Sequence, residues 1–159
     1  MQKIITFLWF DHEAEEAAQF YTSLFRNSRI TNVTRYPEGS PVPAGKAMTV
    51  KFELDGQEFL ALNGGPHYKF TEATSLLVNC EGQKEVDTLW AKLTDGGEPG
   101  QCGWLKDRWG LSWQIIPTEL SALIGDPDPE RSRRAVTAML GMQKIDIERL
   151  REAANGGTA

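Results

Sequence analysis

One order of segments occurs twice along this 159-residue chain, and it limits the possible folds more than any single residue does. Ile4 to Phe10 is a continuous apolar run rich in β-branched and aromatic residues, too short for a helix of its own. It reads as a strand buried on both faces. Ala14, Ala17, Ala18, Tyr21, Leu24 and Phe25 then recur at helical spacing and form one apolar stripe. Arg29 to Tyr36 reads as a strand, and Ala47 to Leu54 and Gln57 to Leu62 as two more. Asp55-Gly56 joins that last pair and is the strongest short-range hairpin signal in the chain. The same order then returns, from a strand within Thr74 to Cys80 to a helix marked by Val86, Leu89, Trp90 and Leu93. Strands at Pro99 to Lys106 and Leu111 to Ile116 complete it. Setting ITFLWFD beside SLLVNCE, and FELDGQEFLAL beside LKDRWGLSWQI, shows a repeat of architecture with little identity.

Local signals punctuate these segments. Asp11 is placed to cap the first helix, with Glu13, Glu15 and Glu16 in the turns where the helix dipole favours negative charge. Gly96-Gly97 closes the second helix. Beyond Pro117 the pattern becomes helical: Asp128-Pro129 supplies a cap and a first-turn proline, and Gly141 a stop. Asp146 caps a last helix, with Ile145 and Leu150 spaced as a hydrophobic staple.

Composition excludes several classes of function. A net charge of −5 argues against a nucleic-acid backbone as partner, and the cluster Arg131, Arg133, Arg134 is interleaved with Glu130 as on a solvated helical face. No stretch approaches the roughly 18 apolar residues of a membrane span, and the N-terminal run turns acidic, unlike a secretion signal. Cys80 and Cys102 are too few for a disulfide framework or a zinc knuckle. The cytoplasm is the expected compartment.

Three stretches carry a family resemblance: FLWFDHEAEEAAQFY at 7–21, FELDGQEFLALNGGPH at 52–67 and GQCGWLKDRWGLSWQIIP at 100–117, with MLGMQKIDIERL at 139–150 closing the chain. With the two tandem units they resemble the PhnB-like family, also labelled 3-demethylubiquinone-9 3-methyltransferase. That family is a branch of the glyoxalase, bleomycin-resistance and dioxygenase (vicinal-oxygen-chelate) superfamily. The resemblance implies an α+β fold of two βαβββ units forming curved mixed sheets, the first over about 1–66 and the second over about 73–117. A helical segment at 118–154 follows, and all of it forms one glyoxalase-like domain that pairs as a homodimer.

In metal-dependent relatives, His, Glu or Gln from the first and last strands of each unit hold a divalent ion. Here ITFLWF offers no such residue, TSLLVN offers hydroxyls and an amide, and the last strand has Gln114 where a glutamate often stands. Hard cations need several oxygen or imidazole partners, so no metal and no cofactor are expected. The methyltransferase label meets a similar obstacle. S-adenosylmethionine sites use a glycine-rich turn from strand to helix, but Asn63-Gly64-Gly65 runs into Pro66 and a polar loop, and Gly96-Gly97 follows a helix.

The residues expected to bind a ligand are Trp9, Asn63, Cys102, Trp104, Lys106, Trp113 and Gln114. Trp104, Trp109 and Trp113 within ten residues, with Trp9 on the first strand, suggest an aromatic-lined hollow between the sheets, although any one tryptophan also suits a core. Cys102 between Gly100 and Gly103 sits where a ligand can approach, and on an ideal strand Cys102, Trp104 and Lys106 share a face. A buried structural thiol is the competing reading. Asn63 and Gln114 are amides that must hydrogen-bond somewhere if buried. No carboxylate pair, no Ser/His/Asp set and no phosphate loop can be assembled from the spacing. The expectation is therefore a protein that binds a small organic molecule. The alternatives are a glyoxalase- or dioxygenase-type enzyme whose metal site the dimer partner completes, and a drug-sequestering protein of the bleomycin-resistance type.

Overall fold

Alternation along the N-terminal apolar run decides how the first sheet is built. In the computed structural model, which describes residues 2–157, that run forms β1 (Thr6–Phe10). Helix α1 (Ala14–Leu24) follows, then β2 (Arg29–Arg35), β3 (Ala47–Leu54) and β4 (Gln57–Asn63). The strand order is β1-β4-β3-β2, with β1 parallel to β4 and the other pairs antiparallel. Leu8, Phe10, Val50, Phe52, Phe59 and Ala61 are buried, as are Ala14, Ala17, Ala18 and Tyr21 on α1. Phe52 and Phe59, directly paired across β3 and β4, stack at 5.4 Å. Each such large side chain stabilises the unit by about 1.5–3 kcal/mol through burial. The reading of β1 as buried on both faces does not hold, because Phe7, on the opposite face of the pleat, is 53% exposed. Asp55 and Gly56 both have positive φ (48° and 82°), as a type I′ hairpin turn requires.

Helix α1 begins at Ala14 rather than beside Asp11, and its N-cap residue Glu13 makes no side-chain cap. The Ala14 amide instead donates to Asn63 Oδ1 at 2.8 Å, so the capping acceptor comes from the end of β4.

The chain divides into two compact units between Lys69 and Phe70. The second contains β5 (Ser75–Cys80), α2 (Gln83–Thr94), β6 (Glu98–Pro99), β7 (Trp104–Lys106) and β8 (Ser112–Pro117), in the order β5-β8-β7-β6 with β5 parallel to β8. The stretch Pro99 to Lys106, expected as one strand, folds back on itself. Cys102 (φ 57°) and Gly103 (φ 84°) are both left-handed, which turns β6 against β7 and supplies the third strand of a βαβββ unit. Gly97 makes that return possible, since a Cβ there would lie 2.1 Å from the Lys106 carbonyl oxygen. Leu105, Trp113 and Ile115 are buried together with Val86, Leu89 and Leu93 of α2.

Three further helices follow: α3 (Glu119–Ile124), α4 (Pro129–Leu140) and α5 (Ile147–Ala154). Asp128 caps α4 by accepting from the Glu130 amide, with Pro129 in the first turn, and Asp146 caps α5 by accepting from Arg149. Leu120, Met142, Ile145 and Leu150 form their core, joined by Ile116 from β8. Among the described residues no helix is long and apolar enough to cross a membrane.

Candidate functional site

Strand register assigns the faces of the second sheet. Trp104 lies opposite Gln114 and Lys106 opposite Ser112, while Ser75 and Leu77 of β5 pair with Ser112 and Gln114. Directly opposed residues point the same way, so these six side chains share the face turned away from Trp113 and Ile115. A cavity of about 500 Å³, open to solvent, lies over the β6–β7 side of this face, with Glu72, Glu98, Cys102, Trp104, Lys106 and Ser112 in its wall.

Two kinds of polar group meet there. The Lys106 ammonium is ion-paired with the Glu72 carboxylate. That hydrogen bond and charge hold Glu72 below the usual carboxylate range and Lys106 above the usual lysine range. Both side chains are well exposed, so the pair adds little to stability. Ser112, by contrast, is 1% exposed, and its Oγ has no hydrogen-bond partner among the described residues. Buried hydroxyls are normally paired, so this orphan is unusual. Gln114 is occupied: its Nε2 donates to Ser75 Oγ at 2.9 Å.

Cys102 belongs to a turn and not to a strand, so the shared face expected for positions 102, 104 and 106 holds only for Trp104 and Lys106. Its amide donates to the Met142 carbonyl at 2.8 Å, and its thiol makes a long contact of 3.6 Å to the Met139 carbonyl. It nevertheless remains in the cavity wall.

The other expected residues lie elsewhere. Trp113 is buried on the α2 side of β8, and its indole N–H donates to the Asp107 carboxylate at 2.9 Å. Asn63, in the first unit, spends its amide on the fold: Oδ1 accepts from Ala14, and Nδ2 donates to the Ala47 carbonyl at 3.0 Å. Trp9 donates to the Gly65 carbonyl at 2.9 Å and meets Tyr68 edge-on at 4.9 Å. Neither His12 nor His67 lines the cavity. Glu72, Glu98 and Ser112 were not singled out from the sequence. Ser112 was findable, since strand alternation places it with Gln114. Glu72 sits in the turn before β5 and carries no local signal.

The metal arrangement of the glyoxalase type does not fit these residues. Among the described residues no group of three or more His, Cys, Asp or Glu is gathered to hold an ion. Gln114 stands as a lone amide whose NH₂ already donates to a neighbour.

A family model described as 3-demethylubiquinone-9 3-methyltransferase matches residues 2–116. The PhnB protein of Bacillus cereus, described under the same methyltransferase name, is 40% identical; the match covers 74% of this chain and 100% of that one, with a TM-score of 0.69. A protein from Pseudomonas aeruginosa shares the fold at 20% identity, with 74% and 98% covered and a TM-score of 0.60. A glyoxalase-related enzyme from Fulvimarina pelagi matches at 14% identity, 75% and 91% coverage and a TM-score of 0.47. No curated protein matches the sequence. The matched segment ends at Ile116, one residue short of the end of β8, so α3 to α5 lie beyond it. The chain belongs to the family that carries the 3-demethylubiquinone-9 3-methyltransferase name, to which the PhnB protein of Bacillus cereus is also assigned by its description.

Proposed function

We propose that this protein binds a small organic molecule, without a metal, in the cavity of its second sheet, and that it does so as a cytoplasmic homodimer. One observation carries the reading: Trp104, Lys106, Cys102 and Ser112, whose buried hydroxyl has no partner among the described residues, line one open space of about 500 Å³. Concave sites with a ring and a few polar groups are where small molecules bind. The Cys102 thiol is directed at the Met139 carbonyl and, among the described residues, makes no hydrogen bond to a basic side chain, which favours binding or sequestration over chemistry. The glycine turn that a methyl-donor site would need is accounted for by packing, since a Cβ on Gly64 would fall 2.3 Å from the Trp9 ring. Leu77 (51% exposed) and Phe7 (53% exposed) support a second copy covering apolar sheet faces.

The test compares wild type with Trp104→Ala. Small molecules extracted from each purified protein are identified by mass spectrometry, and metal content is measured on the same samples. An organic species present in wild type and lost in Trp104→Ala, with metal far below one equivalent, is the expected result. A stoichiometric divalent ion, or a bound species indifferent to Trp104, overturns the reading. Sedimentation velocity reads the dimer directly.

A further inference from the structure

We propose that the ligand of this cavity is a monoanionic carboxylate attached to a ring, and that it binds by taking Lys106 from Glu72 while accepting a hydrogen bond from Ser112. This deepens the reading above and rests on it.

Three features of the cavity wall point the same way. Lys106 carries positive charge there and already holds a carboxylate, that of Glu72. Glu72 is itself 60% exposed and comes from a turn, so its carboxylate can leave for water at small cost. The chain therefore supplies a stand-in for the anion the cavity would otherwise bind. Ser112 stands opposite Lys106 on the adjacent strand, in the cavity wall, and its buried hydroxyl has no partner among the described residues. A carboxylate has two oxygens and four lone-pair sites, enough to accept from both groups at once. Trp104, two residues before Lys106 on the same face, offers a flat apolar surface for the ring.

Charge selects among anions. Glu98 is paired with Lys106 across the β6–β7 hairpin and also lines the cavity. Replacing the Glu72 carboxylate by one ligand carboxylate leaves the local charge unchanged. A dianion would place an additional negative charge near Glu98, which costs free energy at these separations. The preference is thus for a monoanion over a phosphate ester.

Three probes test this by ligand-observed NMR titration: benzoate, its neutral isostere benzamide, and phenyl phosphate. Proteins compared are wild type, Glu72→Gln, Lys106→Gln and Ser112→Ala, each checked for an unchanged circular dichroism spectrum and melting temperature. Benzoate should bind wild type at least about ten-fold tighter than benzamide, and tighter than phenyl phosphate. Glu72→Gln removes the internal competitor and should raise benzoate affinity about three-fold or more while leaving benzamide unchanged. Lys106→Gln should abolish the preference, and Ser112→Ala should reduce it. If benzamide binds as well as benzoate, or Glu72→Gln weakens benzoate, the anion inference is overturned and the cavity reading survives. If no probe binds to wild type or to Glu72→Gln, both fall.

Discussion

The buried carboxylate of Asp107 receives the indole N–H of Trp113 at 2.9 Å and, on its other oxygen, the backbone amides of Trp109 and Leu111 at 2.9 and 3.0 Å. One side chain thereby ties the turn between β7 and β8 to the core face of β8. Trp113 is 1% exposed, so Trp113→Ala should cost about 3–5 kcal/mol. Trp113→Phe keeps much of the ring but removes the indole donor from the Asp107 carboxylate, for a loss of about 1.5–3 kcal/mol. Melting temperatures should fall in the order wild type, Phe, Ala, by about 2–4 °C per kcal/mol. Benzoate binding to the Phe variant should match wild type. An altered affinity at unchanged stability would mean the ring belongs to the cavity instead.

How the tryptophans divide shows what the sequence could reveal. Strand positions, the Asp55-Gly56 hairpin and the caps at Asp128 and Asp146 were legible because each is encoded within a few residues. The placement of Trp113 was legible too, since alternation separates it from Gln114. Nearness in sequence alone does not separate the three tryptophans. Cys102 was harder. Its left-handed φ of 57° is one that a residue other than glycine seldom adopts, so an ideal strand was the natural expectation. Asn63 and Glu72 were beyond reach, because their partners are set by tertiary approach: Ala14 lies 49 residues away along the chain, and Lys106 is reached only once the second sheet has formed.

Asn63 has the credentials of a ligand-binding amide but is used as a structural bridge from β4 to the start of α1 and to β3. Asn63→Ala removes a helix cap and strands the Ala47 carbonyl, for a loss of about 1–3 kcal/mol. The urea midpoint should drop accordingly. Benzoate affinity of the second-unit cavity should stay within error of wild type. A binding defect larger than the stability defect would return Asn63 to the ligand.

Cys80 links stability to alkaline pH. It is 0% exposed, and burial, helped by the nearby Glu85 charge, pushes its thiol from 9.0 up to about 12. Between those two values the unfolded chain releases the thiol proton and the folded chain keeps it. The contribution is therefore complete below about pH 9 and is lost as pH rises toward 12, at up to about 1.4 kcal/mol per pH unit. Urea unfolding of Cys80→Ala across pH 7 to 10.5 should show a shallower alkaline decline than wild type. Parallel curves would remove Cys80 as the cause. At pH 8 only about one thiol in ten thousand is ionised, so a thiol reagent should leave Cys80 unmodified until the protein unfolds.

Gln83 joins the family-like second unit to the helical extension that the family match does not reach. Its Nε2 donates to the Ile145 carbonyl and its Oε1 accepts from the Ile147 amide, both at 2.8 Å, so one side chain pairs with backbone at the start of α5. Ile145 and Ile147 are 0% and 5% exposed, so water cannot readily replace it. Gln83→Ala should cost about 2–3 kcal/mol. Gln83→Glu keeps the acceptor, loses the donor and sets a carboxylate oxygen against a carbonyl. It should recover in part when acid protonates it. The more telling readout is hydrogen exchange at Cys102 and Gly103, whose amides donate at 2.8 Å to the carbonyls of Met142 and Gln143, just before Ile145. If Gln83 holds that segment in place, both amides should exchange faster in Gln83→Ala by more than the global loss of stability explains. If they do not, the cavity-lining turn is held by its own bonds, Gly100 to Trp104 at 2.8 Å and Trp104 to Gln101 at 3.1 Å, and the extension only covers it.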